Sequence, residues 1–246
     1  MRSKRLRAIL LHVAAYGIVL LFMLPFLWMV SVAVKPQDEI FRFPPSFIPE
    51  RPTLANFVGA VQPELVRYAL NGIIVSSTTT ALTIVVGVLS GYAFSRLRFP
   101  GRRSLLVGII FTQLLPLAII LIPIYRIMGQ LQLVNTYWAL VIAYLAFTVP
   151  VAVWLLRGFL ASVPPDFEEA ALIDGCTRFQ AFARVVLPIS LPGIFATATY
   201  VFFMTWQELM FSLALINSQE MRTVPFGVLG YIGEHSTDWG LLMAAS

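Results

Sequence analysis

The sequence predicts an all-α polytopic membrane protein. Apolar residues make up 59% of the chain and charged residues only 12%, whereas a typical soluble domain has about 25% charged residues. Several apolar runs reach the roughly 20 residues that a transmembrane helix needs. The net charge of +5 comes from short basic clusters scattered between these runs, which the positive-inside rule explains better than nucleic-acid binding does. The single cysteine, Cys176, excludes a framework of intrachain disulfides.

The first predicted span covers residues 8–34 and follows the basic start MRSKRLR. A secretory signal peptide also begins with basic residues, but its apolar core is only about 7–15 residues long. Because this run is about twice that length, we predict a retained span with a cytoplasmic N-terminus. The chain as a whole is predicted to be one transmembrane domain over residues 1–246.

Residues 35–67 form a polar segment whose many prolines leave little room for a helix. We predict that this segment is an external loop that follows the first span. The second predicted span, 68–94, contains a run of small hydroxyl residues at Ser76–Thr80. In lipid such residues favour close helix packing and hydrogen bonds between helices. This face of the span is therefore expected to meet other helices.

The third predicted span, 104–124, contains Pro116, and we expect a kink that faces protein there, because neighbours must satisfy the freed backbone groups. The fourth is predicted at 139–160. The predicted orientation places 11 of the 17 Lys and Arg residues inside, consistent with the positive-inside rule. They are Arg2, Lys4, Arg5, Arg7, Arg96, Arg98, Arg102, Arg103, Arg157, Arg178 and Arg184.

Residues 162–192 form the longest polar interruption in the second half of the chain, and they have the pattern of two short helices. Pro165 suits a first helical turn, and Gly175 supplies the left-handed residue that often follows a helix. Thr177 and Gln180 have capping-box spacing and predict a second helix, which Pro188 and Pro192 are expected to end.

The first of these helices, of about nine residues, is too short to be stable alone in water and must dock on something. One interpretation is an amphipathic helix lying on the membrane surface. Such helices carry large apolar anchors and Lys or Arg on the polar face, whereas this one is acidic and rich in small residues. Docking on a protein therefore fits better.

The fifth predicted span, 194–216, contains one acidic residue, Glu208. An ionised carboxylate at the bilayer centre costs about 2.5–3.5 kcal/mol by insertion scales, so such residues usually face a bundle interior or an aqueous cavity. Glu208 could lie on a translocation path or serve as a structural hydrogen-bond partner between two helices. Both interpretations remain open from the sequence.

Two motifs resemble one family. Glu169-Ala170-Ala171, three residues, Gly175, nine residues, Val185, one residue and Leu187-Pro188 resemble the EAA loop of ABC importer permeases, with valine where isoleucine is usual. The segment KPQDEIFRFPPSFIPERPTLANF resembles the first external loop of the carbohydrate-uptake branch. The resemblance implies a bundle of six transmembrane helices with a cytoplasmic coupling helix. Only the start of the sixth span, at 239–246, is present in this sequence, and a short cytoplasmic tail would follow.

The resemblance also implies site residues. Those expected to couple to a cytoplasmic ATPase are Glu168, Glu169, Ala170, Ala171, Asp174, Gly175, Leu187 and Pro188. Those expected on the translocation path are Trp206, Gln207 and Glu208, where the family usually has Trp-Asn-Glu. The extra methylene of Gln207 changes the middle position.

The resemblance implies a non-catalytic subunit of a sugar importer in a bacterial or archaeal cell (inner) membrane. The expected partners are a second homologous permease, a cytoplasmic ATPase dimer and an extracytoplasmic sugar-binding protein, with no nucleic acid. The chain has no G-x-x-x-x-G-K-[ST] loop, no H-E-x-x-H and no cysteine–histidine cluster, which are the usual signatures of phosphate or metal sites. We therefore expect no cofactor, metal or catalytic residue in this chain, and ATP and Mg²⁺ bound by the partner ATPase.

Two alternatives compete with a sugar permease. An ABC permease for a non-sugar solute would keep the EAA-like loop but would not need the KPQDEIFRFPP-type external loop. A secondary transporter would show internal repeats with ionisable residues near the midplane of both halves, whereas only Glu208, in one half, meets that description. The sequence does not identify the sugar.

Overall fold

The computed structural model describes residues 2–233 and 237–246, and the regular elements within those ranges are all helical. The predicted all-α fold class is therefore confirmed. The helices before the polar loop are α1 Arg2–Ala33, α2 Gln37–Ile40, α3 Ala55–Ala60, α4 Pro63–Arg96, α5 Arg102–Thr112, α6 Leu117–Gln130 and α7 Tyr137–Ser162. Those that follow are α8 Pro165–Ile173, α9 Arg178–Ala181, α10 Leu187–Ile189, α11 Leu191–Trp206, α12 Met210–Leu215, α13 Val224–Leu229 and α14 Trp239–Ala245.

By their internal contacts the residues form two compact units, 1–66 with 227–246 and 67–226. The single transmembrane domain predicted for residues 1–246 stays a prediction. In the first unit the two ends of the chain pack together, as α14 lies against α1 and α3. A contact of this kind joins residues far apart in sequence, and no local pattern indicates it.

Three helices in the described residues are long and apolar enough to cross a membrane: Ile9–Ala33, Pro63–Arg96 and Tyr137–Ser162. Two further candidates are bent helix pairs, Arg102–Thr112 with Leu117–Gln130 and Arg178–Ile189 with Leu191–Trp206. The helices thus provide up to five spans by length and composition.

The third predicted span, 104–124, is interrupted next to Pro116, where a kink was expected. Helix α5 ends at Thr112, α6 begins at Leu117, and their axes differ by 97°. Pro116 lacks an amide hydrogen and disfavours helical backbone in the residue before it, so the break occurs just before this proline. Gln113, in the break, donates from Nε2 to the carbonyl of Phe147 at 3.3 Å.

The fifth predicted span, 194–216, is also not one helix. Helix α11 ends at Trp206 and α12 begins at Met210, so the polar residues Gln207 and Glu208 lie in the interruption. A 16-residue helix such as α11 is about 24 Å long at 1.5 Å per residue, which is shorter than the roughly 30 Å apolar core of a bilayer.

Helices α4 and α7 pack closely in the second unit. Part of the predicted small-residue face is buried, since Ser76 and Thr79 have almost no exposed surface. Further along, the hydroxyl oxygens of Thr83 and Thr148 are 2.8 Å apart in a buried hydrogen bond between the two helices. At Gly91 the backbones come so close that a Cβ would lie 3.0 Å from the amide nitrogen of Arg157.

Gly91→Ala should destabilise the protein by about 1–3 kcal/mol, the usual cost of overpacking, because the obstructing atoms belong to the backbone of α7. Gly158→Ala is the matched control, since a Cβ there would meet nothing within 4 Å. Thermal unfolding of both variants in detergent, followed by loss of monodisperse protein, measures the difference. Equal midpoints for the two variants would show that this close approach is unimportant for stability.

The proline-rich segment of the first unit is held by polar contacts. The carboxylate of Glu39 accepts hydrogen bonds from the backbone amides of Glu50 at 2.8 Å and Arg51 at 3.3 Å. Asn56 donates from Nδ2 to the carbonyls of Ala33 and Lys35 at 2.9 and 2.7 Å. The polar residues of KPQDEIFRFPPSFIPERPTLANF thus order the loop that contains them.

The amide of Glu50 is the main cause that holds the pKa of Glu39 below its ordinary value. A carboxyl group whose pKa is lowered by folding stabilises the folded loop above its unfolded pKa, about 4.3 for glutamate, and this contribution is lost as the pH falls through the folded value. Hydrogen exchange at the amides of Glu50 and Arg51, corrected for intrinsic rates, should therefore accelerate as the pH falls below about 4. In Glu39→Gln the corrected exchange should not change over this range, and a similar change in that variant would contradict the assignment.

Candidate functional site: the polar loop at 162–192

Helix α8, Pro165–Ile173, forms where the sequence predicts the first short helix, and Pro165 occupies its first turn. The helix ends in a Schellman motif. The amide of Cys176 donates to the carbonyl of Ala171 at 3.0 Å, and the amide of Gly175 donates to that of Leu172 at 3.1 Å. Gly175 has φ +87°, so the predicted left-handed glycine is confirmed.

The second short helix begins as predicted. Gln180 donates its amide to Oγ1 of Thr177, and the amide of Thr177 donates to Oε1 of Gln180 at 2.9 Å, which completes a capping box. Pro188 and Pro192 were expected to end this helix, and it ends between them, at Ile189, before a 71° bend. The turn ahead of the proline, Phe182–Val186, is π-helical. A π turn shifts the carbonyls that a proline ring would otherwise meet four residues back.

The two faces of α8 differ in what they contact. Glu168 and Ala171 are buried within this chain, at 6% and 7% exposed. Glu169 and Ala170, next to them in sequence, are exposed. Of the residues predicted to contact an ATPase, Glu168 and Ala171 thus lie on the inner face. Among the others Asp174, Gly175 and Pro188 are exposed, and Leu187 is half-buried.

The exposed face also carries large apolar side chains that the sequence analysis did not single out. Phe167 is 51% exposed, Ile173 is 86% exposed, and Phe179 of α9 is 73% exposed. Phe167, Ala170 and Ile173 recur every three residues, and this spacing places them on one helix face. This three-residue spacing is the sequence signal that could have identified the exposed face. Exposed apolar residues grouped in this way are typical of a protein contact.

On the inner face, Glu168 contacts two side chains of α4. Its Oε1 accepts a hydrogen bond from the hydroxyl of Tyr92 at 2.5 Å, and its Oε2 pairs with Nε of Arg96 at 3.1 Å. Arg96 also donates from a terminal nitrogen to the carbonyl of Val163 at 2.6 Å. We call Tyr92, Arg96 and Glu168 the Glu168 cluster.

A cleft of about 470 Å³ lies beside this cluster. Its lining combines the end of α4, the start of α5 and the two short helices, and it includes four arginines: Arg96, Arg98, Arg102 and Arg178. The sequence assigned these residues to the inner side of the membrane by charge alone, and the structure brings them together around α8.

The second predicted group, Trp206, Gln207 and Glu208, lies at the break between α11 and α12. The ring of Trp206 packs on α4 at Gly72, where a Cβ would come within 3.0 Å of it, and it stacks on Phe202 with centroids 5.9 Å apart. Gln207 is exposed.

Glu208 is 8% exposed, and its carboxylate accepts hydrogen bonds from the amides that begin α12. The distances are 2.8 Å from Met210 to Oε1 and 3.1 Å from Phe211 to Oε2. The first amides of a helix have no partner inside that helix, so Glu208 stabilises the first turn of α12 after the break. These bonds are local to the break between α11 and α12.

Among residues 2–233 and 237–246, no group of three or more His, Cys, Asp or Glu side chains meets the geometry of a metal site.

The family described as "Binding-protein-dependent transport system inner membrane component" matches residues 83–245, a segment that contains both predicted groups. This chain belongs to that family. It is therefore an inner-membrane component of a transport system that uses a binding protein, and it has the multi-pass helices of such a component.

Members of the family with high similarity include three named transport permeases. The sulfoquinovosyl glycerol transport system permease SmoH of Agrobacterium fabrum is 36% identical over 90% of this chain and 78% of its own length. The diacetylchitobiose uptake system permease DasC of Streptomyces coelicolor is 34% identical over 90% of this chain and 81% of its own length. The trehalose/maltose transport system permease MalG of Thermococcus litoralis is 33% identical over 100% of this chain and 89% of its own length.

Among solved structures, a chain of a bacterial ABC transporter that imports the acidic polysaccharide alginate matches with a TM-score of 0.77. The match covers 100% of the present chain and 91% of the transporter chain at 19% identity. A second structure, of the alginate transporter with a pentasaccharide-bound periplasmic protein, matches with a TM-score of 0.62 at 15% identity. At these identities the likeness concerns the fold.

Proposed function

We propose that this chain is the permease subunit of an ATP-driven ABC importer for a sugar or oligosaccharide, and that it forms half of the translocation pathway. Its partners are a second homologous permease, a cytoplasmic ATPase dimer and an extracytoplasmic sugar-binding protein. ATP and Mg²⁺ are bound by the ATPase, and this chain is non-catalytic. The N-terminus lies in the cytoplasm.

The sugar class is supported by relatives rather than by a sugar site. The three permeases described above are named for solutes that contain carbohydrate: sulfoquinovosyl glycerol, diacetylchitobiose and trehalose or maltose. The ordered loop from Lys35 to Asn56 belongs to the segment that resembles the carbohydrate-uptake branch. These two observations favour a sugar over a non-sugar solute.

The observation that carries the coupling proposal is the exposed face of α8. It presents Glu169, Ala170 and the apolar side chains of Phe167 and Ile173 beside the left-handed turn at Gly175. This combination of a small residue, a charge and two apolar side chains suits a groove on another protein, where close backbone approach is needed. We assign this face to the ATPase.

In this mechanism, the ATPase dimer closes on binding ATP and displaces α8. Helices α9 and α10, with the π turn between them, transfer the displacement to α11, which continues from Ile189 after a 71° bend. The cavity then changes from inward to outward access. The ATPase can shift this equilibrium only by the difference in its affinity for the two states.

Purification of the native complex from membranes tests the proposal. Mass spectrometry of the co-purifying chains should identify a second permease and an ATPase with a phosphate-binding loop. A variant with Phe167, Ile173 and Phe179 all replaced by serine should retain the second permease and lose the ATPase. Isolation of this chain alone, or as a homo-oligomer without an ATPase, would contradict the proposed function.

The orientation is tested with single cysteines in a Cys176→Ser background, labelled by an impermeant thiol reagent on cells whose outer barrier admits it. Phe43→Cys should be labelled, because that side chain is 92% exposed in the loop proposed to be external. Arg98→Cys and Glu169→Cys should be labelled only after the membrane is opened. Labelling of the two cytoplasmic positions in intact cells, without labelling at position 43, would reverse the assignment.

Trp206, Gln207 and Glu208 remain candidates for the translocation path. Interrupted helices are common where a polar pathway crosses a membrane, since the free backbone groups there line a cavity or are buried in protein. The break between α11 and α12, with exposed Gln207, supports this candidate.

A further inference from the structure

The Glu168 cluster contains the one ion pair with both partners largely buried among residues 2–233 and 237–246. The side chains of Arg96 and Glu168 are 12% and 8% exposed. The other three ion pairs in those ranges join side chains that are each more than half exposed. Water and salt screen a buried pair far less than a surface pair, so this interaction holds its partners in a fixed geometry.

The cluster connects segments that are distant in sequence. Tyr92 and Arg96 are four residues apart on α4 and therefore lie on one face of that helix. The carboxylate of Glu168 contacts both of them from α8, and Arg96 also contacts the carbonyl of Val163, in the connection between α7 and α8. The ring of Tyr92 lies 4.5 Å, centroid to centroid, from the ring of Phe182 in the π turn.

Apart from this cluster, α8 is joined to the rest of the chain through its two ends and packs on α9 and on the π turn Phe182–Val186. One end is the extended residue Val163 followed by two prolines, and the other is the left-handed turn at Gly175. A nine-residue helix attached only in this way would pass its movement to α9, α10 and α11 and could still tilt relative to α4. The contacts of Glu168 prevent such a tilt relative to α4.

We propose that Glu168 is a positioning residue that ties α8 to the cytoplasmic end of α4, so that movement of α8 is transmitted directly to this long helix. The neighbouring Glu169 is exposed and faces the partner, while Glu168 faces this chain. The inference rests on the proposed function, because it assumes that an ATPase moves α8. It adds a second route of transmission beside the covalent one through α9, α10 and α11.

The test uses the purified complex and two thiol reporters, which are labelled with a maleimide with and without ATP plus vanadate. The native Cys176 reports on the end of α8. Ser95→Cys, in a Cys176→Ser background, reports on the end of α4, where Ser95 lines the cleft. In the parent protein, ATP plus vanadate should change both labelling rates.

In Glu168→Gln the ATP-dependent change at Cys176 should persist, while the change at position 95 should fall about fivefold or more, the lower range of a typical coupling between sites. Arg96→Gln should act in the same way. The double variant Arg96→Gln/Glu168→Gln should show little further loss, because each substitution removes the same interaction between these two side chains. Glu169→Gln is the matched control and should affect the two reporters in parallel.

An unchanged response at position 95 in Glu168→Gln would overturn the proposal. Loss of both responses would also overturn it, because Glu168 would then be needed for the ATPase contact itself. If Glu168→Gln does not assemble, Tyr92→Phe removes one hydrogen bond and keeps the ring against Phe182. It should show the same selective loss to a smaller degree, and a parallel change at both reporters would again overturn the proposal. Absence of any ATP response in the parent protein would instead contradict the proposed function.

Discussion

Gly175→Val is expected to abolish most uptake while leaving the protein inserted in the membrane. Gly175 has φ +87° and closes the Schellman motif at the end of α8. A left-handed conformation costs a residue with a side chain roughly 1–2 kcal/mol, and a β-branched side chain fits it especially poorly. An energy of this size changes an equilibrium by about 5–30-fold, so the connection to α9 should take a different course.

The surroundings of Gly175 help to separate a backbone effect from a packing effect. A Cβ at this position meets nothing within 4 Å in this chain, so valine would not clash with its own protein. Gly175→Asn is the matched control, because asparagine adopts the left-handed conformation more readily than other residues with side chains. It should retain most of the uptake.

The measurements are uptake in membrane vesicles, ATP hydrolysis stimulated by the binding protein, and abundance of the assembled complex. Gly175→Val should lower the first two far more than the third. If asparagine is as harmful as valine, the cause is steric exclusion at the partner surface and not the left-handed backbone. Normal uptake by Gly175→Val would remove the turn from the mechanism.

Local signals predicted the polar loop well. The start of α8 at a proline, its end at Gly175 and the capping box at Thr177 all depend on residues within four positions of one another. The helix dihedral angles and hydrogen bonds at such ends are determined locally. The sequence pattern was therefore sufficient for these features.

Signals that depend on distant segments were missed or misjudged. The family resemblance placed Glu168 with Glu169 among the residues expected to couple to an ATPase. Only the packing of α8 against α4 shows that Glu168 faces Arg96 and Tyr92. The spacing of Tyr92 and Arg96 marks one helix face, but nothing nearby in sequence indicates what covers it.

The sequence did not predict how sharply the chain bends at its prolines, for a related reason. Pro116 was expected to kink a span, and the chain bends there by 97°. Pro188 and Pro192 were expected to end a helix, and it ends between them after a π turn. A proline removes one hydrogen bond and crowds one carbonyl. Whether the chain breaks, bends or forms a π turn there depends on neighbouring segments, which the sequence alone does not provide.

Glu208→Leu is expected to lower the amount of assembled complex severalfold. The carboxylate accepts the amide hydrogens of Met210 and Phe211, and leucine would leave these buried donors without an acceptor. Each unsatisfied buried group costs about 1–3 kcal/mol, which is a large fraction of the stability of a typical domain. Glu208→Gln keeps an acceptor oxygen and should assemble nearly normally.

Transport per assembled complex then distinguishes the two roles of Glu208. If the residue only stabilises the start of α12, the complexes that do assemble with leucine should transport at close to the parent rate. If it also lies on the translocation path, transport should fall further than abundance, because a polar contact for the solute is lost.

Gln207→Leu is the matched control for the path. Gln207 is exposed at the same break, whereas Glu208 accepts the amides that begin α12. Loss of transport in both variants at normal abundance would place the path at this break. Normal abundance and normal transport in Glu208→Leu would contradict both roles.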